Sequence, residues 1–438
     1  MALISKSQSR AILEKVLSFS KADGCEANLN GNIGGNIRYA RNTVTTSGVV
    51  SDATLVVQSN FGKKMGTATI NEFDDDSLVK VVRRSEELAR LAPENPEFVD
   101  VLEPQTYQES KAFFKSTEAI TPAFRANVAA ASIKPCREKG LVAAGFLQDG
   151  ANSQAMMNTT GLFAYHQQTN ANFSVTIRTE DGRGSGYALR DHNDVDRLNT
   201  SEASRIAIDK ALMSRDARAI EPGKYTVVLE PAASIGLLQN MLFNLGARQA
   251  DEGRSFMAKK GGGTKLGEKI VDERVTIYSD PTHPEIPTSP WNGDGRPREK
   301  TFWIENGVVK NLFYSRYWAK KKGVKAIPPP ANGIMVGGDA SLEDLIQDTK
   351  RGILVTRTWY IRTVDPQTLL YTGLTRDGTF FIENGKIQYP VKNFRWNESP
   401  IIMLNNLEAL GKPQRINRNL VPPMKIREFT FSSLSDAV

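Results

Sequence analysis

The side chains that most readily hold a transition metal are scarce in this chain: three histidines, His166, His192 and His283, and two cysteines, Cys25 and Cys136. They lie far apart, and none belongs to an H-x-x-x-H or C-x-x-C pattern, so spacing alone builds no metal site. Gly262 to Gly267 has the spacing of a phosphate-binding loop, but Glu268 stands where that loop needs a lysine. A flexible loop accounts for these glycines better. Gly182, Gly184 and Gly186 follow a predicted strand, yet they match a dinucleotide fingerprint poorly and suit a tight hairpin. No serine sits in a G-x-S-x-G elbow.

The elements that must position any site follow from hydrophobic periodicity. An amphipathic helix is predicted over 7–20, with Ala11, Ile12, Leu13, Val16, Leu17 and Phe19 on one broad apolar face. Short strands follow from about 27 to 70, with Asn60-Phe61-Gly62-Lys63 as a turn. Asp74, Asp75 and Asp76 then place negative charge at the start of a helix reaching about Leu91, where the helix dipole favours it. Pro93, Pro96 and Pro104 mark a linker. The next unit reads as a helix over 124–138, strands over 141–147, 161–166 and 172–178, and a helix over 201–216. Glu221-Pro222-Gly223 breaks the chain before a strand over 224–230.

The last part is mainly β. Phe302-Trp303-Ile304-Glu305-Asn306-Gly307 recurs as Phe380-Phe381-Ile382-Glu383-Asn384-Gly385. Each copy sets Asn-Gly between apolar runs, a hairpin signal because a type I′ turn needs positive φ at both central residues. Helices are predicted over 232–247, over 341–350 and over 399–410. Ser341 and Asp344 resemble a capping box in the second; Ser399, Pro400 and Gly411 mark the ends of the third. The tail after Pro413 reads as extended and partly loose. The expected fold class is α+β: an N-terminal α/β domain (1–105), a central α/β domain (117–219) and a large antiparallel β-rich C-terminal domain (222–438).

Composition excludes several classes. With 438 residues, 40% hydrophobic and 24% charged, the chain can bury a sizeable core without staples. Two cysteines suit a reducing cytoplasm. The N-terminus shows no signal-peptide pattern, and no run of eighteen apolar residues would span a membrane. A net charge of +7 invites a nucleic-acid reading, but the charge is dispersed. Its densest run, Lys320-Lys321-Lys322 with Lys325, and the pair Arg415 and Arg418 lack interleaved aromatics, so nucleic acid is not expected as a partner.

The run Gly373-Leu374-Thr375-Arg376-Asp377-Gly378-Thr379-Phe380-Phe381-Ile382-Glu383-Asn384-Gly385-Lys386-Ile387 continues through Tyr389-Pro390-Val391-Lys392-Asn393-Phe394-Arg395-Trp396-Asn397-Glu398-Ser399. It resembles the closing signature of the TldD/PmbA family, once called modulators of DNA gyrase. The resemblance extends to Val227-Val228-Leu229-Glu230-Pro231 with the helix after it, to the Arg41-Asn42-Thr43 region and to the strand-rich middle.

That resemblance implies a specific test of chemistry. The TldD kind carries H-E-x-x-x-H on the helix after that strand and a further ligand, typically Cys, near the C-terminal sheet, which would hold zinc and supply a general base. The corresponding hexapeptide here is Gln239-Asn240-Met241-Leu242-Phe243-Asn244, and the further ligand aligns near Arg376. Imidazoles and carboxylate are all missing. The resemblance therefore implies a TldE/PmbA-like subunit with no cofactor of its own and zinc only in a TldD-type partner. Gln239, Asn240, Asn244 and Arg376 would line what remains of a cleft. Expected partners are a TldD-type subunit in a heterodimer, or a second copy, and a peptide substrate. The alternatives are a metallopeptidase with relocated ligands, or a protein- or DNA-binding modulator of DNA gyrase.

Overall fold

The computed structural model describes residues 3–435, so Met1, Ala2 and the last three residues of the tail lie outside the described residues. The first sheet comprises β1 (Gly24–Ala40), β2 (Thr43–Phe61), β3 (Lys64–Ile70), β4 (Leu141–Asn158), β5 (Phe163–Thr179) and β6 (Ser185–His192), in the spatial order β3-β2-β1-β4-β5-β6. Every neighbouring pair is antiparallel. The strands are longer than expected: β2 has 19 residues, and the strands predicted over 161–166 and 172–178 are one strand of 17. Gln168 and Asn170, which lie between those two predicted strands, are alternate residues on one face of the continuous strand. Because β1 pairs with β4 from Glu26↔Asn158 to Tyr39↔Gly145, one hydrogen-bonded sheet spans both sides of the proline linker.

Alternation decides how this sheet packs. Leu29, Ile37, Leu55, Val57, Leu147, Phe173, Val175 and Ile177 are buried on its apolar face. Helices α1 (Lys6–Phe19), α2 (Asp75–Leu91), α3 (Lys115–Glu118), α4 (Pro122–Glu138) and α5 (Thr200–Met213) complete this half. Leu13, Val16, Leu78 and Val82 join one core cluster, and Val128, Ile133, Ala203, Ala207 and Ile208 another. Ser5 and Gln8 form a capping box on α1, and Asp74 accepts from the Ser77 N–H at the start of α2. One charged pair lies within this layer: Arg125 of α4 donates to Asp149 of β4 through Nε at 2.6 Å and Nη2 at 2.7 Å. Gly35 leaves room for it, since a Cβ there would lie 2.0 Å from the guanidinium.

The C-terminal half holds two sheets. In the smaller, β8 (Ile277–Ser279), β9 (Thr301–Glu305), β10 (Val308–Val309), β11 (Ile334–Met335), β17 (Gln414–Ile416) and β18 (Asn419–Val421) run in the order β10-β9-β8-β11-β18-β17. The larger contains β7 (Gly223–Leu229), β12 (Arg351–Asp365), β13 (Leu370–Glu383), β14 (Lys386–Pro390), β15 (Phe394–Glu398), β16 (Leu407–Leu410) and β19 (Met424–Leu434). Here β12 pairs with β7 and β13, β13 with β15, β15 with β19, and β19 with β7. The ring closes. Among the described residues it is a five-stranded barrel with one parallel pair, β7–β12, and closure removes its exposed edges. The helices of this half are α6 (Pro231–Phe243), α7 (Ala247–Asp251), α8 (Arg316–Lys322), α9 (Leu342–Gln347) and α10 (Pro400–Asn405).

Both Asn-Gly turns form with positive φ, at Asn306 (51°), Gly307 (78°), Asn384 (50°) and Gly385 (75°). They serve different sheets, however: β9–β10 belongs to the smaller and β13–β14 to the larger. The capping box of Ser341 and Asp344 is present. Two expectations fail. The helix expected over 399–410 stops at Asn405, because Leu407–Leu410 pairs with β19 as β16 and buries Leu407 against the barrel. The described part of the tail is extended as expected but not loose: β19 lies between β7 and β15 and buries Met424, Ile426, Phe429 and Phe431. Long-range pairing outweighs local helix propensity at 407–410 and orders the extended tail.

Two measurements check this account. Replacing Arg125 by Ala strands the buried Asp149 carboxylate and should remove about 3–5 kcal/mol of unfolding free energy in a denaturant titration. Glu398 is buried and accepts from the N–H groups of Ser399 (3.0 Å) and Thr430 (3.3 Å). Burial dominates and pushes its carboxyl up to about 7 from 4.5. This stabilisation is complete below pH 4.5 and is lost as pH rises through about 7. The Glu398→Gln variant should therefore gain on the native chain across that interval; parallel stability profiles would refute the assignment.

Candidate functional site

Helix α6 follows β7 with Pro231 in its first turn, where a missing N–H does no harm. The N-cap Glu230 accepts from Lys210 Nζ at 2.6 and 2.7 Å and from Thr356 Oγ1 at 3.2 Å, which ties the helix start to α5 and β12. Thr358 Oγ1 donates to Ala233 O at 2.6 Å and holds the first turn on the barrel. Ile235, Leu238, Met241, Leu242 and Leu245 are all buried, as their spacing requires.

Positions 239 and 244 are five residues apart, which on an unbroken helix puts their side chains roughly 140° apart. The helix instead ends at Phe243, and Asn244 is its C-cap. Asn244 Nδ2 donates back to Asn240 O at 2.8 Å and lies 3.5 Å from the Tyr371 hydroxyl. It thereby satisfies one of the carbonyls that a helix end leaves open. Asn240 and Gln239 are half-buried. Arg376, on β13, stacks its guanidinium over Trp359 at 4.2 Å from the ring centre, with Nε 3.9 Å from Asp377. Burial draws its pKa down from the ordinary guanidinium value. Arg376 lies five residues beyond Tyr371, roughly 17 Å along an extended strand. Asn244 thus meets β13 at Tyr371, five residues before Arg376.

These donors do not fit zinc. Zinc sites use imidazole, thiolate or carboxylate, whereas the aligned positions supply carboxamides and a guanidinium. Among the described residues no group of three or more His, Cys, Asp and Glu could hold a metal ion. His166 is on β5 and His192 on β6, and burial lowers both to about 4. His192 Nδ1 accepts from the Asp194 N–H at 2.9 Å, and His283, in a loop, accepts from the Glu285 N–H at 3.2 Å. Cys25 and Cys136 are buried, and burial raises both thiols.

The wall opposite α6 was not singled out from the sequence. Gln239, with Asn417 and Arg418 from the β17–β18 turn, borders a concavity of about 610 Å³ floored by β1, β4 and β5. That floor is the polar face of the first sheet. Asn32 and Asn36 on β1, Gln148 and Asn152 on β4, and Gln168 and Asn170 on β5 all belong to it. Asparagine and glutamine at every second position of a strand were the available signal. The turn is held in place by Asp191 of β6, whose Oδ2 accepts from Arg415 Nε and the Arg418 N–H, both at 3.0 Å.

The helix that follows barrel strand β7 thus carries carboxamides at the positions where the resemblance would place metal ligands. Residues 222–433 match the PmbA/TldA metallopeptidase C-terminal domain and residues 101–215 the PmbA/TldA metallopeptidase central domain. The chain belongs to the PmbA/TldD family. It is 22% identical over 449 residues to the metalloprotease PmbA of Escherichia coli O157:H7, covering 95% of this chain and 96% of that protein. It is 25% identical over 299 residues to a metalloprotease of Methanothermobacter thermautotrophicus, an alignment spanning 61% of this chain and 62% of that relative. Its fold matches the crystal structure of TldE from Thermococcus kodakarensis with a TM-score of 0.88 at 20% identity, covering 96% of this chain and 100% of that one.

If Asn244 acts as a cap, Asn244→Asp should destabilise more than Asn244→Ala. It removes the donor and sets a negative charge at the negative end of the helix dipole, costing about 1–2 kcal/mol in a chemical melt. Equal or higher stability of the Asp variant would show that the cap contributes nothing.

Proposed function

We propose that this chain is a non-catalytic, TldE/PmbA-like subunit of a cytoplasmic TldD/TldE-type metallopeptidase that acts on small or unfolded peptides. The observation carrying the proposal is a retained strand–helix–barrel scaffold whose ligand positions hold Gln239, Asn240, Asn244 and Arg376. A TldD-type partner supplies the zinc and the general base. This chain contributes the wall of the cavity in which peptide is held. The tip between β12 and β13 exposes Trp359, Tyr360 and Val364, apolar side chains of the kind that anchor protein interfaces, and we assign this tip to the partner. The buried thiols of Cys25 and Cys136 suit the reducing compartment. No helix among the described residues is long and apolar enough to cross a membrane.

Co-expression with a TldD-type chain tests the proposal. The two should co-purify, with zinc and peptidase activity in the complex and neither in this chain alone, and Tyr360→Asp should abolish co-purification. Stoichiometric zinc and peptidase activity in the lone chain would overturn the reading in favour of relocated ligands. Steeply salt-dependent DNA binding by the lone chain, without partner capture, would favour the gyrase-modulator reading.

A further inference from the structure

The floor of the concavity beneath Gln239 is a ladder of carboxamides in register. Asn32 of β1 stands opposite Asn152 of β4, which stands opposite Gln168 of β5. Four residues along, Asn36 stands opposite Gln148, and Gln148 opposite Asn172. Between these rows lies a third in which Gly34 pairs with Gly150, and Gly150 with Asn170. The two glycines keep the middle low, since a Cβ on either would sit 3.1 or 3.2 Å from the neighbouring strand's carbonyl oxygen. Two of the floor's polar atoms are buried without a hydrogen-bond partner among the described residues: Asn152 Oδ1 and Asn170 Oδ1. Unpaired buried acceptors are costly. A ligand bearing N–H groups would satisfy them.

We propose that this carboxamide trough binds the main chain of an extended polypeptide, independently of its side chains. Three features select that ligand. A carboxamide carries one acceptor and two donors in the geometry of a peptide group, so it pairs with backbone N–H and C=O alike. Successive rows are two residues apart on their strands, roughly 6.6–6.8 Å, which is the two-residue repeat of an extended chain. The trough also offers little to rival ligands. Of its two carboxylates, Asp149 is engaged by Arg125, and Asp191 accepts from Arg415 through Oδ2 and leaves Oδ1 as a further acceptor; no aromatic side chain among its described lining residues offers a platform for a base or sugar. The inference takes its substrate class from the proposed function and locates part of the substrate's contact on this chain rather than on the zinc-bearing partner.

The test uses the full chain alone, so its outcome is separate from partner capture. A fluorescein-labelled dodecapeptide of Ala, Ser, Thr and Gly is titrated by fluorescence anisotropy at low and high salt. Binding should occur and change little with salt, because no charge pair carries it. The same peptide N-methylated at every residue should bind at least about ten-fold more weakly, since its backbone donors are gone. The double variant Asn152→Ala/Asn170→Ala should show a similar loss, with circular dichroism confirming that it folds. Equal affinity for the N-methylated peptide, or no binding by the native chain up to about 1 mM, would overturn the proposal. Neither result would touch the partner reading if co-purification with the zinc-bearing chain held.

Discussion

The carboxylate of Asp191 sets how the two halves of the molecule meet. It is buried at the end of β6 and accepts from the Arg415 side chain and the Arg418 backbone, while Arg415 also donates to Asn193 at 2.9 Å. Breaking such a contact leaves a charge buried without a partner, which is far more costly than losing a surface pair. Farther along the same strand Ser185 donates to Asp377 at 2.6 Å, and Arg357, which lies over Tyr187, donates to Asp377 at 2.8 Å. These two buried acidic side chains fix the orientation of the barrel against the first sheet. The wall formed by Gln239, Asn417 and Arg418 follows from that orientation.

The first sheet has to serve two solvents. Its apolar face is covered by helices in two core clusters, the ordinary outcome for an antiparallel sheet. Its other face carries carboxamides along β1, β4 and β5, which would lose hydrogen bonds if apolar surface were pressed against them. The C-terminal half therefore touches that face at specific places. Leu189 enters the C-terminal core, and Tyr187, Ser185 and Asp191 make polar or cation–π contacts. Between those contacts and the hairpin of β1 and β2, the polar face stays open as a trough.

Helix α6 is held in place by contacts that any chain of this fold could use. Its start is held by Glu230, Lys210 and Thr358, and its apolar side is buried, none of which depends on a metal. The helix ends before position 244, and Asn244 caps it by donating to Asn240 O. Family membership thus speaks to the fold, while the identity of a few side chains decides the reaction.

Local and short-range features were readable from the chain itself. The acidic start of α2, the capping box of α9, the two Asn-Gly hairpins and the buried stripe of α6 follow from residue type and spacing over a few positions, while Gln239, Asn240, Asn244 and Arg376 were singled out by the family resemblance. Tertiary structure decided what depends on distant partners. The β16 segment is a strand because β19 offers it hydrogen bonds, and the tail is ordered as β19 because β7 and β15 pair with it. The joining of β1 to β4, and with it the alignment of Asn32 with Asn152 and of Asn36 with Gln148, rests on register between strands more than a hundred residues apart. Alternation says which residues share a face of one strand, but pairing across strands sets which of them become neighbours, and that pairing is decided by the burial of the whole.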